Sequence, residues 1–229
     1  MKLKLLFIGM VLLYAFSAAG QNCSKYYPME EGTSMEYTSY NGKGKIQGTI
    51  SYTVTNVVDT GGTTSATMAM NYKDAKGKEA FSSEFTYSCT GNTVTIDYQS
   101  LMSNQMLQQF GDMEMELSGT DIELPNDLAV GQELPDANMS MKMSMSGMNM
   151  TSTMNMTNRK VEKQETITTP AGTFDCFVIY SENQSKMMMA SQNFPNRLWL
   201  AEGVGMVKQD SFNKSGKLMS STVLTARSN

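Results

Sequence analysis

The chain has 229 residues, among them 23 methionines, 18 basic and 22 acidic side chains and no histidine. The lack of histidine excludes Ser-His-Asp and Cys-His catalysis and removes the commonest ligand of zinc and copper. The mildly acidic charge, with no cluster of lysine or arginine, argues against nucleic acid as a partner. Paired-carboxylate hydrolysis stays possible, but no spacing of Asp and Glu singles out a pair. We therefore expect a protein that is not an enzyme, with no catalytic residues and no cofactor.

Residues 1–20 have the organisation of a secretory signal peptide. Lys2 and Lys4 form a basic start, an apolar run follows, and small residues end at Gly20. The apolar run is short for a transmembrane helix. We therefore expect cleavage near Gly20 and a periplasmic or extracellular protein with no stable membrane span. The remaining residues, 21–229, are predicted to form a single β-rich domain.

Three cysteines follow the predicted cleavage site, and in an oxidising compartment one pair is expected to form a disulfide. Cys23 and Cys89 are the candidate pair, because a bridge there would pin a terminus that otherwise frays. Cys176 lies among apolar neighbours and is expected to be a buried free thiol. Two residues separate Gly20 from Cys23, whereas a lipid-anchored cysteine directly follows the cleaved bond, so we expect no lipid anchor.

Short segments with period-two alternation, rich in β-branched and aromatic residues, predict strands along most of the chain. Three connections share the pattern [Asn/Asp]-x-x-Gly-Lys and begin at Asn41, Asp74 and Asn213. This is type I turn chemistry, so each is interpreted as the tip of a hairpin. The predicted strands cover residues 35–40, 46–57, 81–89, 93–97, 113–117, 166–169, 173–180, 198–200, 206–212 and 218–226.

One segment between these strands has a helical pattern. Tyr98, Leu101, Met102, Met106 and Phe110 follow the i, i+3, i+4 spacing of an apolar helix face over about three turns. We expect one short helix here that covers a face of an otherwise all-β domain.

The segment 138–156, NMSMKMSMSGMNMTSTMNM, has methionine at odd positions before Ser146-Gly147 and at even positions after it. A two-residue hairpin turn at Ser146-Gly147 would pair 145 with 148, 143 with 150, 141 with 152 and 139 with 154. All the methionines would then share one face, and the other face would be polar. A continuous strand with a bulge at Gly147 is the alternative. The candidate ligand-lining residues are Met139, Met141, Met143, Met145, Met148, Met150, Met154 and Met156.

Three interpretations of this methionine face stay open. It could be ordinary core, although methionine is a poor strand former beside valine or isoleucine. It could be a compliant wall for an apolar ligand, because unbranched thioethers adapt to irregular partners. It could bind Cu(I), which prefers soft thioether ligands.

Four segments together resemble the TapB-like family of exported bacterial proteins of unknown function. They are YYP at 26–28 with EG at 31–32, AVGQELP at 129–135, TPAGTFDC at 169–176 and LWLAEGVGMVK at 198–208. This family is similar to periplasmic lipoprotein-carrier-like domains, which implies a strongly curved antiparallel half-barrel with a concave apolar face and no known catalytic residues. Trp199, ahead of Gly203 and Gly205, joins the candidate lining residues, with core packing as the alternative.

These observations lead to one preferred function and two alternatives. We expect an exported all-β protein that binds an apolar ligand, either a lipid or a hydrophobic peptide, on the concave face of a half-barrel. The first alternative is a structural or protein-interaction module of the cell envelope. The second is a periplasmic Cu(I)-binding protein rich in methionine.

Overall fold

The structure, a computed structural model, describes residues 23–100, 114–145, 148–187 and 190–228. The described residues form thirteen strands of a single antiparallel sheet. The strands are β1 (Ser34–Asn41), β2 (Ile46–Thr60), β3 (Thr63–Asp74), β4 (Glu79–Thr90), β5 (Thr93–Ile96), β6 (Glu114–Gly119), β7 (Ile122–Pro125), β8 (Ala137–Met145), β9 (Met148–Thr169), β10 (Gly172–Met187), β11 (Ala190–Ala201), β12 (Gly205–Phe212) and β13 (Leu218–Ser228).

The strand order forces this sheet to curve. The order is β6-β8-β9-β10-β11-β12-β13-β1-β2-β3-β4-β5-β7, so β6 and β7 are its two edges. Only Thr120 and Asp121 separate these edges along the chain. Laid flat, such a sheet would be about 58 Å wide at roughly 4.8 Å per strand, but the short link holds the ends of the edge strands within about 11 Å. The sheet is therefore strongly curved, and the all-β, curved antiparallel sheet that the family resemblance implies is confirmed.

The three hairpin tips predicted from the turn pattern are confirmed. In the first, the Asn41 Oδ1 atom accepts hydrogen bonds from the backbone N–H groups of Lys43 and Lys45, both at 3.0 Å. Gly44 adopts φ +77°, a conformation that favours glycine. Asp74 and Asn213 organise the β3–β4 and β12–β13 tips in the same way.

The predicted covering helix is not seen in the described part of the chain. Tyr98, Gln99 and Ser100 form a turn, in which the Ser100 hydroxyl accepts a hydrogen bond from the Thr86 N–H at 2.9 Å. The same hydroxyl donates to the Asp97 carbonyl at 2.8 Å, and local side-chain bonds of this kind compete with helix formation. The rest of the predicted helix, residues 101–110, lies outside the described residues.

An N-terminal segment, residues 23–33, crosses the concave face and fills one end of it. Tyr26 is fully buried, and its ring packs edge-on against Phe177 of β10 with 6.4 Å between the centroids. The ring of Tyr27 lies 5.7 Å from that of Tyr87 on β4. Burial raises the pKa of Tyr26 and of Tyr27 to about 12, so both hydroxyls stay protonated at neutral pH. The segment thus joins the two wings of the sheet.

Covalent and polar bonds hold the N-terminal segment in place. The structure joins Cys23 to Cys89 of β4 in a disulfide, the pairing that the sequence predicts, and Cys176 is a buried free thiol. The side chain of Asn126 accepts a bond from the Lys25 N–H at 2.8 Å and donates one to the Cys23 carbonyl at 2.7 Å. The start of the described chain is therefore part of the core rather than a loose end.

Arg159 of β9 links the edge strand β7, at one end of the sheet, to the β8–β9 region at the other end. Its buried guanidinium donates to the carbonyl oxygen of Glu123 on the edge strand β7 at 3.1 Å. It also donates to the carbonyl of Pro135, just before β8, at 2.5 Å. Burial lowers the pKa of Arg159, but arginine keeps its charge in proteins. Its two bonds to carbonyls compensate for the buried charge.

Replacing both Cys23 and Cys89 by alanine is expected to lower the free energy of unfolding by about 4 kcal/mol. The bridge spans a sequence separation of 66 residues, and without it the unfolded chain regains the entropy of that loop. Urea unfolding followed by circular dichroism measures the change. Cys176→Ala is the control, because it removes a free thiol and leaves the disulfide intact. A double variant as stable as this control would contradict the stabilising role of the bridge.

Replacing Arg159 by methionine is expected to lower the free energy of unfolding by about 3 kcal/mol, because the backbone carbonyls of Glu123 and Pro135 lose a charged donor. The neighbouring Lys160→Met is the matched control, since Lys160 is exposed and such surface changes stay within about 0.5 kcal/mol. Thermal or urea unfolding of both variants makes the comparison. If R159M and K160M unfold at the same midpoint, the two bonds of Arg159 do not stabilise the curved sheet.

Candidate functional site

The methionine segment is a hairpin with the predicted register. Strands β8 and β9 are antiparallel neighbours, and they pair Met139 with Met154, Met143 with Met150 and Met145 with Met148. The alternative of one continuous strand is therefore wrong. Ser146 and Gly147, the predicted turn, lie outside the described residues, as do the side chains of Met145 and Met148.

Edge strand β6 extends the apolar face beyond the hairpin. Met115 pairs with Met143, and Leu117 pairs with Met141. Directly opposed residues of neighbouring strands point to the same side of a sheet. The methionine face, as we use the term, consists of Met115, Leu117, Met139, Met141, Met143, Met150, Met154 and Met156.

The side chains of the methionine face are mostly half-buried. Only Met143 is buried, at 7% exposure, and the others keep part of their surface accessible. Met143 is not part of the main hydrophobic cluster, whose buried methionines are Met29, Met35 and Met68. The methionine face is therefore apolar surface next to the core, not a section of the core itself.

The opposite face of the same strands is polar. Lys142 of β8 forms an ion pair with Glu116 of β6 at 3.1 Å, and both side chains are more than half exposed. Asn155 of β9 donates to the Gln184 side chain of β10 at 3.4 Å. The two faces thus differ as the alternation in the sequence predicts, with the polar one towards solvent.

The strand register places the methionine face on the concave side. Met156 pairs with Asn183 of β10, and β10 alternates from Asn183 back through Ile179 to Phe177, which packs on Tyr26 of the N-terminal segment. A bulge lies in β9 beside Met156, where Asn158 has φ +52° and the pairing with β10 shifts. The extra residue of a bulge changes the alternation of one strand locally, so the face is followed here along β10. The same concave surface therefore carries the core at one end and the methionines at the other.

A polar band lies between these two regions on β10, β11 and β12. Asn183 and Asn196 are buried, at 6% and 7% exposure. The Asn183 Oδ1 atom accepts from the Ser181 hydroxyl at 3.3 Å, and the Asn196 Oδ1 atom accepts from the Ser211 hydroxyl at 2.5 Å. This band was not predicted from the sequence, although the switch from apolar to polar residues at every second position after Ile179 was a usable signal.

Trp199 does not belong to the methionine face, contrary to its inclusion among the candidate lining residues. It pairs with Val178 and Lys208, and on β11 it points to the opposite side from Phe194 and Asn196. It is buried at 7% exposure. Its Nε1–H donates to Glu165 at 2.5 Å, and the Lys208 ammonium lies 4.5 Å from the ring centroid. Trp199 is therefore a buried side chain that packs beside the charged groups of Glu165 and Lys208.

The ionisable groups near Trp199 do not form a catalytic set. A hydrogen bond from Lys163 is the main cause that lowers the pKa of Glu165, with the Trp199 indole N–H adding to it. Burial raises the pKa of the Cys176 thiol to about 11, so at neutral pH it is no thiolate nucleophile. In the described ranges, no group of three or more His, Cys, Asp or Glu side chains is placed to hold a metal ion.

A groove of about 410 Å³ lies at the outer end of the hairpin. It takes in Met115, Met143 and Met150 together with the ion-paired Glu116 and Lys142. Because residues from both faces line it, this groove lies at the border of the sheet and is not an enclosed apolar pocket. The larger candidate surface is the methionine face as a whole.

The sequence profile of the DUF3108-like family matches residues 30–224, which include strands β1 to β12 and more than half of β13. The chain belongs to the DUF3108-like family. The TapB-like name and the likeness to lipoprotein carriers, both expected from the sequence, are not tested by this match and stay predictions.

Two crystal structures have a similar fold. One is a candidate exported protein with a YmcC-like fold from Bacteroides fragilis, 18% identical, with a TM-score of 0.73 over 90% of this chain and 100% of that chain. The other is a candidate lipoprotein from Parabacteroides distasonis, 23% identical, with a TM-score of 0.72 over 91% of this chain and 100% of that chain. At these identities the likeness establishes the fold of the DUF3108-like protein and no function.

A search of curated proteins finds no match to the chain. Among the residues that the structure describes, none lies in a helix of the length and apolar character that a membrane span requires.

Proposed function

We propose that this DUF3108-like protein is exported and binds an apolar ligand on its concave face without catalysing a reaction. The methionine face forms one wall of the site. The ligand is a lipid chain or a hydrophobic peptide segment, and the compartment is the periplasm or the extracellular space. The signal-peptide pattern of residues 1–20 and the candidate exported and lipoprotein neighbours of the same fold support this location.

The half-buried state of the methionine face is the observation that carries the proposal. Seven of its eight side chains keep apolar surface accessible to water although they lie on the inside of a curved sheet. Each square ångström of apolar surface left in water costs roughly 25 cal/mol that a bound apolar partner would recover. Methionine side chains can also repack around partners of different shape.

The main core supports the same conclusion by contrast. Its fully buried side chains, such as Val54, Leu200 and Leu224, surround the N-terminal segment at the other end of the concave face. β-Branched and leucine residues with defined rotamers suit a fixed core. Methionines are a minority in that core, where they are Met29, Met35 and Met68, whereas they make up seven of the eight side chains of the methionine face.

The variant Met141→Lys/Met154→Lys is expected to weaken binding of a fluorescent fatty-acyl probe at least tenfold, because two ammonium groups would be placed in the apolar wall. Ser140→Lys/Thr153→Lys carries the same charges on the opposite face of the same strands and is the matched control. Native mass spectrometry of the exported wild-type protein is expected to show co-purified lipid.

Two outcomes would contradict the proposal. Equal probe affinity in both double variants would show that the methionine face is not part of the binding site. A wild-type protein that binds neither the probe nor any co-purified lipid would favour the envelope interaction module that the sequence analysis leaves open.

A second candidate function, Cu(I) binding, is favoured by one local arrangement. Met115, Met143 and Met150 are directly opposed on three adjacent strands, so their Cβ atoms are about 5 Å apart from strand to strand. Flexible thioethers at this spacing can converge on one ion, and thioethers select Cu(I) over divalent metals. The site would need no histidine.

Replacing these three methionines by leucine separates the two candidate functions, since leucine keeps the apolar volume and removes the sulfur. If Cu(I) is the ligand, Met115→Leu/Met143→Leu/Met150→Leu loses at least tenfold in Cu(I) affinity in a chelator competition, with acyl-probe binding unchanged. Met70→Leu/Met206→Leu/Met219→Leu, three changes outside the face, is the control. Equal Cu(I) affinity in the two triple variants would rule out this site.

A further inference from the structure

The methionines of the core and those of the methionine face differ in their access to solvent. Met29, Met35 and Met68 are buried in the core, at 7%, 5% and 4% exposure, and the Tyr37 hydroxyl also donates to the Met35 sulfur at 3.6 Å. Six methionines of the face keep part of their side chain accessible: Met115, Met139, Met141, Met150, Met154 and Met156. A molecule the size of water therefore reaches the side chains of the face, whereas those of the core are enclosed.

Accessible thioethers are oxidised to sulfoxides by small oxidants such as hydrogen peroxide. The three cysteines of the chain do not compete for the oxidant. Cys23 and Cys89 form the disulfide, and Cys176 is buried. Burial also raises the pKa of the Cys176 thiol to about 11, and the thiolate is the form that oxidants attack. In the described part of the chain, the methionine face is thus the largest group of accessible reduced sulfur.

The strand register places these thioethers side by side. Met139 directly opposes Met154, and Met115, Met143 and Met150 form a row across three strands. The Cβ atoms of such directly opposed residues are about 4.5–5.5 Å apart. An apolar ligand that lies on the face therefore contacts several methionines at once, and a sulfoxide formed at any of them would lie against the ligand.

A sulfoxide on the methionine face is expected to affect ligand binding and not the fold. Oxidation converts an apolar thioether into a polar group. Water can hydrate the new oxygen while the face is empty, but beneath an apolar ligand this oxygen has no hydrogen-bond partner, which is costly. The main hydrophobic cluster contains no residue of the face, so the core keeps its packing. Oxidation therefore favours the empty, folded protein.

We propose that the methionine face is a modification site for hydrogen peroxide, and that the sulfoxides formed there abolish binding of the apolar ligand. In each event the thioether sulfur attacks one oxygen of the peroxide, the O–O bond breaks and an S–O bond forms. The sulfur is oxidised by two electrons and the peroxide is reduced. The proton of the transferred hydroxyl passes to the departing hydroxide, which leaves as water. The effect on binding rests on the proposed function, whereas the oxidation itself depends only on exposure of the face.

Peptide mapping by mass spectrometry after limited treatment with hydrogen peroxide tests the oxidation. The six accessible methionines of the face are expected to oxidise at least tenfold faster than Met29, Met35 and Met68. A saturating concentration of the fatty-acyl probe is expected to slow oxidation of the face at least fivefold. It is expected to leave the rate at Met219 unchanged, since Met219 is 48% exposed and lies outside the face.

Binding of the fatty-acyl probe after peroxide treatment tests the effect on the ligand. Treated wild-type protein is expected to bind the probe at least tenfold more weakly than untreated protein, with the same urea midpoint. Leucine keeps the apolar volume and removes the sulfur, so a variant with leucine at the six accessible positions is expected to keep its affinity within threefold on treatment. Met70→Leu/Met206→Leu/Met219→Leu, three changes outside the face, is the matched control and is expected to lose binding as the wild type does. The six changes are Met115→Leu, Met139→Leu, Met141→Leu, Met150→Leu, Met154→Leu and Met156→Leu.

Three results would overturn this inference and leave the proposed function standing. The first is oxidation of the face at the slow rate of the core methionines. The second is unchanged probe affinity in the treated wild type, a comparison that needs no variant. The third is an equal loss of binding on treatment in the wild type and in a folded six-leucine variant. If the untreated wild type does not bind the probe, the proposed function fails, and the effect of oxidation on binding fails with it.

Discussion

The two-residue link between β6 and β7 is the constraint on which the rest of the structure depends. These strands are the opposite edges of a thirteen-strand sheet, yet they follow each other in the chain. A flat sheet cannot satisfy this connection, so the sheet must bend until its edges approach. Arg159 strengthens the closure with two bonds to backbone carbonyls near those edges. The concave surface is a direct result of this topology.

A curved sheet of this width needs something to fill its interior, and the described residues supply that material only in part. Residues 23–33 cover one end, where Tyr26 and Tyr27 bridge the two wings and the Cys23–Cys89 disulfide holds the segment down. The described residues provide no comparable cover for the methionine face, whose side chains stay half-buried. The proposed ligand would complete the interior at this end, as the N-terminal segment completes it at the other.

Features set by neighbouring residues were predictable from the sequence. The turns at Asn41, Asp74 and Asn213 follow from the side-chain bonds that Asn or Asp makes within four residues. The parity change at Ser146-Gly147 predicted the β8–β9 register because strand side chains alternate with a period of two. Strand β3 was missed, since its buried positions, Ala66 and Met68, carry neither β-branched nor aromatic side chains although threonines stand between them.

Features set by distant residues were not predictable. Nothing local shows that β6 and β7 are the two edges, or that Met115 continues the face of Met143 across a strand boundary. The choice between ligand lining and core packing for Trp199 could not be made from the sequence, because the face of a strand residue depends on the register with its neighbours. Arg159 is unremarkable in the sequence and gains its structural role only from burial in the folded sheet.

The most direct measurement is a nuclear magnetic resonance titration of the protein labelled at its methionine methyl groups, with monolaurin as the added ligand. If the methionine face is the binding wall, its methyl signals shift with ligand concentration, while those of Met35 and Met68 in the core stay in place. Saturating shifts confined to the face would agree with the structure. Unchanged signals from the face at saturating lipid, or shifts only in methionines elsewhere, would show that the concave surface does not bind acyl chains.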